Sequence, residues 1–163
     1  MKRAVRGFSL SVGFGLIAVL GLLAVIRLAP TDPAQWHVDL AAAKGDGASY
    51  CTISTPGVRS EFKIADPVSV LVKLNEIALG TPRTLRIAGS PQEGRITWIT
   101  RSALMGFPDF TTAQVLPSNG GWRLCMLARQ RFGIKDFGVN ARRILTWAMV
   151  VEGLREWPEP NPL

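Results

Sequence analysis

The sequence predicts an α+β fold: an N-terminal transmembrane helix, then a two-layer domain in which an antiparallel sheet of about four to five strands carries two helices on one face. Three observations carry this reading. From Phe8 to Ile26 the chain holds only apolar residues, Gly and Ser. Between residues 85 and 129, apolar and polar residues alternate with period two in successive stretches, the spacing of half-buried strands. Two further segments, one before and one after these stretches, repeat apolar residues three and four apart, the spacing of amphipathic helices.

The first element is the apolar run. At roughly 1.5 Å per helical residue, Phe8–Ile26 matches the ~30 Å hydrocarbon core of a bilayer. Lys2, Arg3 and Arg6 precede it and Arg27 follows it. The stronger basic cluster is N-terminal, which places the N-terminus in the cytoplasm and the remaining residues across the inner membrane, on the periplasmic side. A cleaved signal peptide is the rival reading. The apolar core is long for one, and Arg27 and Pro30 interrupt the small-residue pattern around Ala29, so the uncleaved anchor is preferred. Gly7, Ser11 and Gly15 recur every fourth residue, either as a helix-packing face or as the small residues common in such helices.

Residues 29–48 read as a linker, with Pro30, Pro33 and Gly45-Asp-Gly47 and no sustained periodicity. The domain spans 49–156, enough chain for one core. Within it, a short strand is predicted around Glu61–Ile64. Asp66 then caps a helix that has Pro67 at its first position and Gly80 at its end. Pro67, Val70, Leu71, Leu74, Ile77 and Ala78 form its apolar stripe. Strands follow around Leu85–Ala88, Gly94–Arg101 and Phe110–Leu116. Asn119-Gly120 marks a two-residue hairpin, and a fourth strand carries Trp122, Leu124, Met126 and Ala128. The last helix runs from about Ala141 to Glu156, with Asn140 as its cap and Ile144, Trp147, Ala148, Val151 and Leu154 as its stripe. The tail 157–163 has proline at every second position and reads as extended.

Consecutive hairpins predict an antiparallel meander. Its helix-free face carries Arg95, Arg101, Arg123 and Arg129 and is either solvated or a binding face. The formal net charge is +7, but beyond residue 28 only 15 basic residues stand against 12 acidic ones. The high isoelectric point is therefore no argument for nucleic acid. Cys51 and Cys125 both fall beyond the membrane, where they either form a disulfide or stay buried as thiols. A single histidine, His37, excludes a multi-histidine metal site and leaves Ser102 without a base, so no metal, cofactor or catalytic residue is predicted.

Arg101-Ser102, Met105-Gly-Phe-Pro-Asp109, Ala128-Arg-Gln-Arg-Phe-Gly133, Asp136-Phe-Gly-Val-Asn140 and Arg142-Arg143 together resemble the domain-of-unknown-function 1499 family, over about residues 60–156. Many members carry Ser where Ala128 stands. The resemblance implies an α+β domain, often membrane-anchored or exported, and implies no particular reaction.

The richest segment is 128–143, which packs five cations, two glycines, an Asp and an Asn between the last strand and the last helix. Arg101, Arg129, Arg131, Asn140, Arg142 and Arg143 are the candidate anion- or ligand-binding residues, since guanidinium groups at a helix N-terminus suit an anion. Asp109, Gly133, Asp136 and Gly138 are the candidate structural corner. The alternative is that the arginines only pair with Asp109 and Asp136. Three functions follow: a membrane-anchored accessory domain that engages a membrane protein complex or anionic lipid through an arginine-rich surface, a small anion- or ligand-binding module at this corner, or an enzyme with a carboxylate-centred site. The first is preferred and enzymatic activity is disfavoured.

Overall fold

A computed structural model describes residues 2–43, 47–51, 66–118, 121–133 and 135–153; the side chains of residues 2–12 lie outside the described set. The fold is α+β around a five-stranded antiparallel sheet. Helix α1 (Lys2–Leu28) runs through the N-terminal apolar stretch. Among the described residues no helix is long and apolar enough to cross a membrane. A short helix α2 (Pro33–Trp36) follows, and its cap Asp32 accepts from the Ala34 amide. Then come β1 (Ala48–Cys51), α3 (Pro67–Gly80), β2 (Thr84–Ser90), β3 (Arg95–Arg101), β4 (Pro108–Ser118), β5 (Gly121–Gln130) and α4 (Val139–Val151).

The strand order is β1-β5-β4-β3-β2, so β2 to β5 form the predicted meander. The strand that completes the sheet is Ala48–Cys51, paired with Cys125–Ala128; it was not predicted, and it begins at the last residue read as linker and runs into the predicted domain. The strand expected at Glu61–Ile64, the Asn119-Gly120 turn, Leu154 and the proline-rich tail lie outside the described residues; the last helix ends at Val151, with Glu152 as its C-cap, short of the expected Glu156.

Helices α3 and α4 cover one sheet face, as their stripes require. Leu71, Leu74, Ile77 and Ala78 from α3 and Ile144, Trp147, Ala148 and Val151 from α4 meet Ile96, Trp98, Ala113, Val115, Leu124, Met126 and Ala128. Trp98 and Trp147 pack edge to face, centroids 5.7 Å apart. Both indole N–H groups find acceptors, Asn75 Oδ1 at 3.1 Å and Thr81 Oγ1 at 2.9 Å, as buried tryptophans require. Asp66 caps α3 by accepting from the Val68 and Ser69 amides. Cys51 and Cys125 are register partners, 4.1 Å apart at Cα, and form a disulfide.

The opposite sheet face departs from expectation. Its middle is covered, because residues 36–40 lie across it, while Arg123 and Leu85 on the same face stay exposed. Trp36 stacks on Phe110, with centroids 3.8 Å apart. The Leu40 amide donates to Gln114 Oε1 at 2.7 Å, and Gln114 Nε2 donates to Asp39 Oδ1 at 3.0 Å. The segment read as a linker thus forms a thin third layer. The physical reason is that its backbone has little secondary structure of its own, and the strands' polar side chains supply the missing partners. At Gly89 (φ +73°) this layer comes so close that a side chain would collide with the Arg95 carbonyl and the His37 ring.

One buried polar atom on the helix face is unmatched: Thr111 Oγ1 has no hydrogen-bond partner, and the residue is fully buried. Thr111→Val keeps the shape and removes an unsatisfied hydroxyl, so it is expected to raise the unfolding free energy by about 1 kcal/mol. Denaturant titration of both proteins checks this; a loss of stability would show that the hydroxyl is satisfied.

Candidate functional site

The arginines at the β5–α4 corner divide between two faces of the sheet: Arg129 and Arg131, two residues apart along β5 and its end, share the side opposite the helices, whereas Arg142 and Arg143 belong to α4. Arg129 lies on the face crossed by the N-terminal segment. Its Nη2 donates to the Trp36 carbonyl at 2.9 Å, and its guanidinium sits 5.0 Å from the Trp36 ring centroid. Arg131 holds the same segment further upstream, donating to Pro30 O at 2.9 Å, Thr31 Oγ1 at 3.2 Å and Ala29 O at 3.5 Å. Arg101 donates to Gly106 O at 3.1 Å across the β3–β4 loop. These three expected anion ligands are already engaged with oxygen atoms of the chain itself.

Arg143 lies on the helix face. It pairs with Asp109 at 3.4 Å and donates to Asn140 Oδ1 at 2.8 Å. Burial pushes the Asp109 carboxyl above its ordinary value, with Arg143 opposing, and burial lowers the Arg143 guanidinium. Removing either partner would strand the other charge in a mostly buried place. Arg142 is exposed on the first turn of α4. The six predicted ligands therefore do not converge on one point.

The corner itself is built by Asp136. Its carboxylate accepts from the Gly138 amide at 2.9 Å and the Asn140 amide at 3.0 Å, and these bonds hold it below its ordinary value. Gly133 (φ +101°) and Gly138 (φ +76°) supply the left-handed backbone of the turn. Asn140 is not the cap. Gly138 occupies that position, and Asn140 lies inside α4, 2% exposed, because its side chain is needed by Arg143.

Around this corner lies a cleft of about 680 Å³. Gly47 and Ala48 of the β1 edge form one wall, Ala128 and Gln130 of β5 the floor, and residues 135–138 with Asn140 and Ala141 the other wall. Lys135 and Phe137 stand exposed on that wall. Asp136, Gly138 and Asn140 were expected at the corner, whereas Gly47, Ala48 and Phe137 were not. Among the described residues no group of three or more His, Cys, Asp or Glu side chains is placed to hold a metal.

A second polar cluster, invisible in the strand alternation, centres on His37. Arg95 Nε donates to His37 Nε2 at 3.0 Å, so Nδ1 carries the proton and donates to Thr97 Oγ1 at 2.8 Å. Thr97 and Thr112 hydroxyls are 2.9 Å apart, and Thr112 donates to the Trp36 carbonyl at 2.8 Å. The donors run in one direction from Arg95 to Trp36 O. The available sequence signal was Asp32-Pro33, the same cap signature as Asp66-Pro67, immediately before a Trp-His pair.

The sequence model of the family described as "Protein of unknown function (DUF1499)" matches residues 29–149. The chain belongs to this family, and the match begins at the Arg131-held residues. No curated protein matches the chain.

His37 makes the docked segment sensitive to pH. Burial holds its imidazole below the usual 6.5; Arg95 adds to this and Glu93 opposes it. The folded state therefore binds fewer protons than the unfolded one, and stability is present above about 6.5 and lost as pH falls below it. His37→Gln is expected to flatten the stability profile between pH 7.5 and 5, within the range where only histidine ordinarily titrates, about 5–8. An unchanged profile in thermal melts would contradict the role given to His37.

Proposed function

We propose that the chain is a single-pass, membrane-anchored binding domain on the periplasmic side, and that its binding element is the cleft at the β5–α4 corner. The single supporting observation is the division of the arginines. Arg101, Arg129 and Arg131 hold the chain's own carbonyls, so the arginine-rich face offers a partner few free donors, while the cleft stands open. The anchor reading rests on the sequence alone, on the uncharged Phe8–Ile26 run, since no helix among the described residues is long and apolar enough to cross a membrane. The positive N-terminus sets its orientation.

The cleft favours binding over catalysis. Its lining carboxylate, Asp136, is engaged by two backbone amides and held in the ionised form. Asp109, the nearby alternative, is paired with Arg143. The lone histidine bonds on both ring nitrogens at the opposite sheet face. A general acid or base needs a free, tuned group within reach of its substrate. What remains is an apolar surface from Ala48 and Ala141, with Phe137 and the Lys135 ammonium at its outer rim. This suits a small molecule with an apolar body and a negatively charged or polar end.

Two measurements test the proposal. A reporter active only outside the cytoplasm, fused after Leu163, is expected to be active, and activity of a cytoplasm-only reporter there would overturn the topology. Native mass spectrometry of the detergent-solubilised chain is expected to show a small-molecule adduct that Ala141→Trp removes without lowering the melting temperature. An adduct that survives this substitution would place the binding element elsewhere.

A further inference from the structure

The end of the sheet from which α1 departs carries exposed apolar side chains that the fold itself does not use. Contacts of the N-terminal segment fix which end this is. Arg27 Nη2 donates to the Leu104 carbonyl in the β3–β4 loop at 3.2 Å, and its side chain lies where a Cβ on Gly106 would touch it. Residues 29–31 are then held by Arg131 just past the end of β5. Next, Trp36 meets Phe110, His37 meets Thr97, and Leu40 meets Gln114. The chain thus moves along the sheet, away from the β3–β4 and β5–α4 loops, toward the β4–β5 hairpin. The two loops are the part of the domain nearest to the end of α1.

Those two loops bear Leu104 and Phe137, 83% and 84% exposed, the most exposed large apolar side chains outside α1 among the described residues. Phe137 also sits at φ +53°, a left-handed conformation that a bulky residue adopts only against strain. A strained backbone that delivers an aromatic ring into solvent does nothing for the core. Strain of this kind accumulates where a segment meets a ligand or surface. Exposed cations flank both residues, Arg27 near Leu104 and Lys135 near Phe137.

We propose that this end of the domain seats on the bilayer surface, with Leu104 and Phe137 inserted at the interface and Arg27 and Lys135 against lipid phosphates. The inference rests on the anchor reading above. The occupant follows from continuity. Leu28 ends α1, Arg27 ties that end to the Leu104 loop, and a helix leaving a membrane here holds both loops at headgroup level. Apolar side chains beside cations are the composition that lies in such an interface. Arg131 and the Trp36 stack make the connection short and fixed, so the domain cannot drift away from the lipid as it would on a free tether.

The test uses the full chain in vesicles of phosphatidylethanolamine and phosphatidylglycerol, with a nitroxide label on one introduced cysteine at a time. Leu104→Cys and Phe137→Cys labels are expected to lose collisions with a water-soluble nickel chelate and gain collisions with oxygen, relative to a Trp122→Cys label at the far hairpin. A Val19→Cys label reports on the anchor. If Val19→Cys collides with oxygen and not with nickel while Leu104→Cys and Phe137→Cys match Trp122→Cys, the seating is overturned and the anchor stands. If Val19→Cys itself is open to nickel, both readings fall. Circular dichroism of each labelled chain confirms that the fold is kept, since all four positions are exposed.

Discussion

Trp36 stacks on Phe110 at 3.8 Å, and around this contact Arg95, Thr97, Thr112, Gln114 and Arg129 on the helix-free sheet face all find partners. Thr97, Thr112 and Arg129 point away from the main core from the centre of β3, β4 and β5. In a solvated sheet they would bond water. Here the aromatic stack excludes water, and the Trp36 carbonyl takes donors from both Thr112 and Arg129. Arg129 is desolvated enough that its guanidinium is lowered from its ordinary value, and it recovers favourable contact with the Trp36 ring. The position of one tryptophan therefore determines what three strands do on their outer face.

The same contact links the segment that follows α1 to the domain. Without it, residues 29–43 are a tether and the sheet presents an arginine-rich face to any acidic partner. With it, the arginines become internal donors, and the surface open to partners shifts to the corner cleft and to the loops beside α1. Thr97 and Thr112 are fully or almost fully buried, a state that polar side chains tolerate only with partners in place. A segment that looks like a spacer thus decides which functional surface the protein has.

How much of this could be read in the sequence depended on periodicity. The stripe Leu71, Leu74, Ile77, Ala78 and the Asp66-Pro67 cap located α3 within its first and last residues, because both signals are local. The alternation of Trp122 to Arg129 located β5 for the same reason. Ala48–Cys51 was missed because four residues are too few to show a period, and the β5 edge alone defines that strand. Segment 29–43 was missed because, beyond the short capped turn at Asp32, its docking comes from distant side chains: His37 and Thr97 are 60 residues apart, Arg131 and Thr31 100. At the candidate site, Asp136 and the glycines were legible from turn chemistry. Alternation placed Arg129 on the helix-free face of β5, but nothing local revealed that the chain's own carbonyls engage it and Arg131. Asn140 was read as a cap because Asn favours that position; the demand from Arg143 inside the helix outweighed that preference.

The central claim is that residues 29–40 belong to the folded domain and that Trp36 holds them there. The most direct measurement is the unfolding free energy of the full chain carrying Trp36→Ala, with amide exchange at Leu40 followed in parallel. Because Trp36 is half-buried, its truncation is expected to cost about 2–3 kcal/mol, below the full-burial range for such a change, and the Leu40 amide should exchange faster as its bond to Gln114 opens. Unchanged stability together with unchanged exchange would show that the segment is a passive connection and that the sheet's outer face does not depend on it.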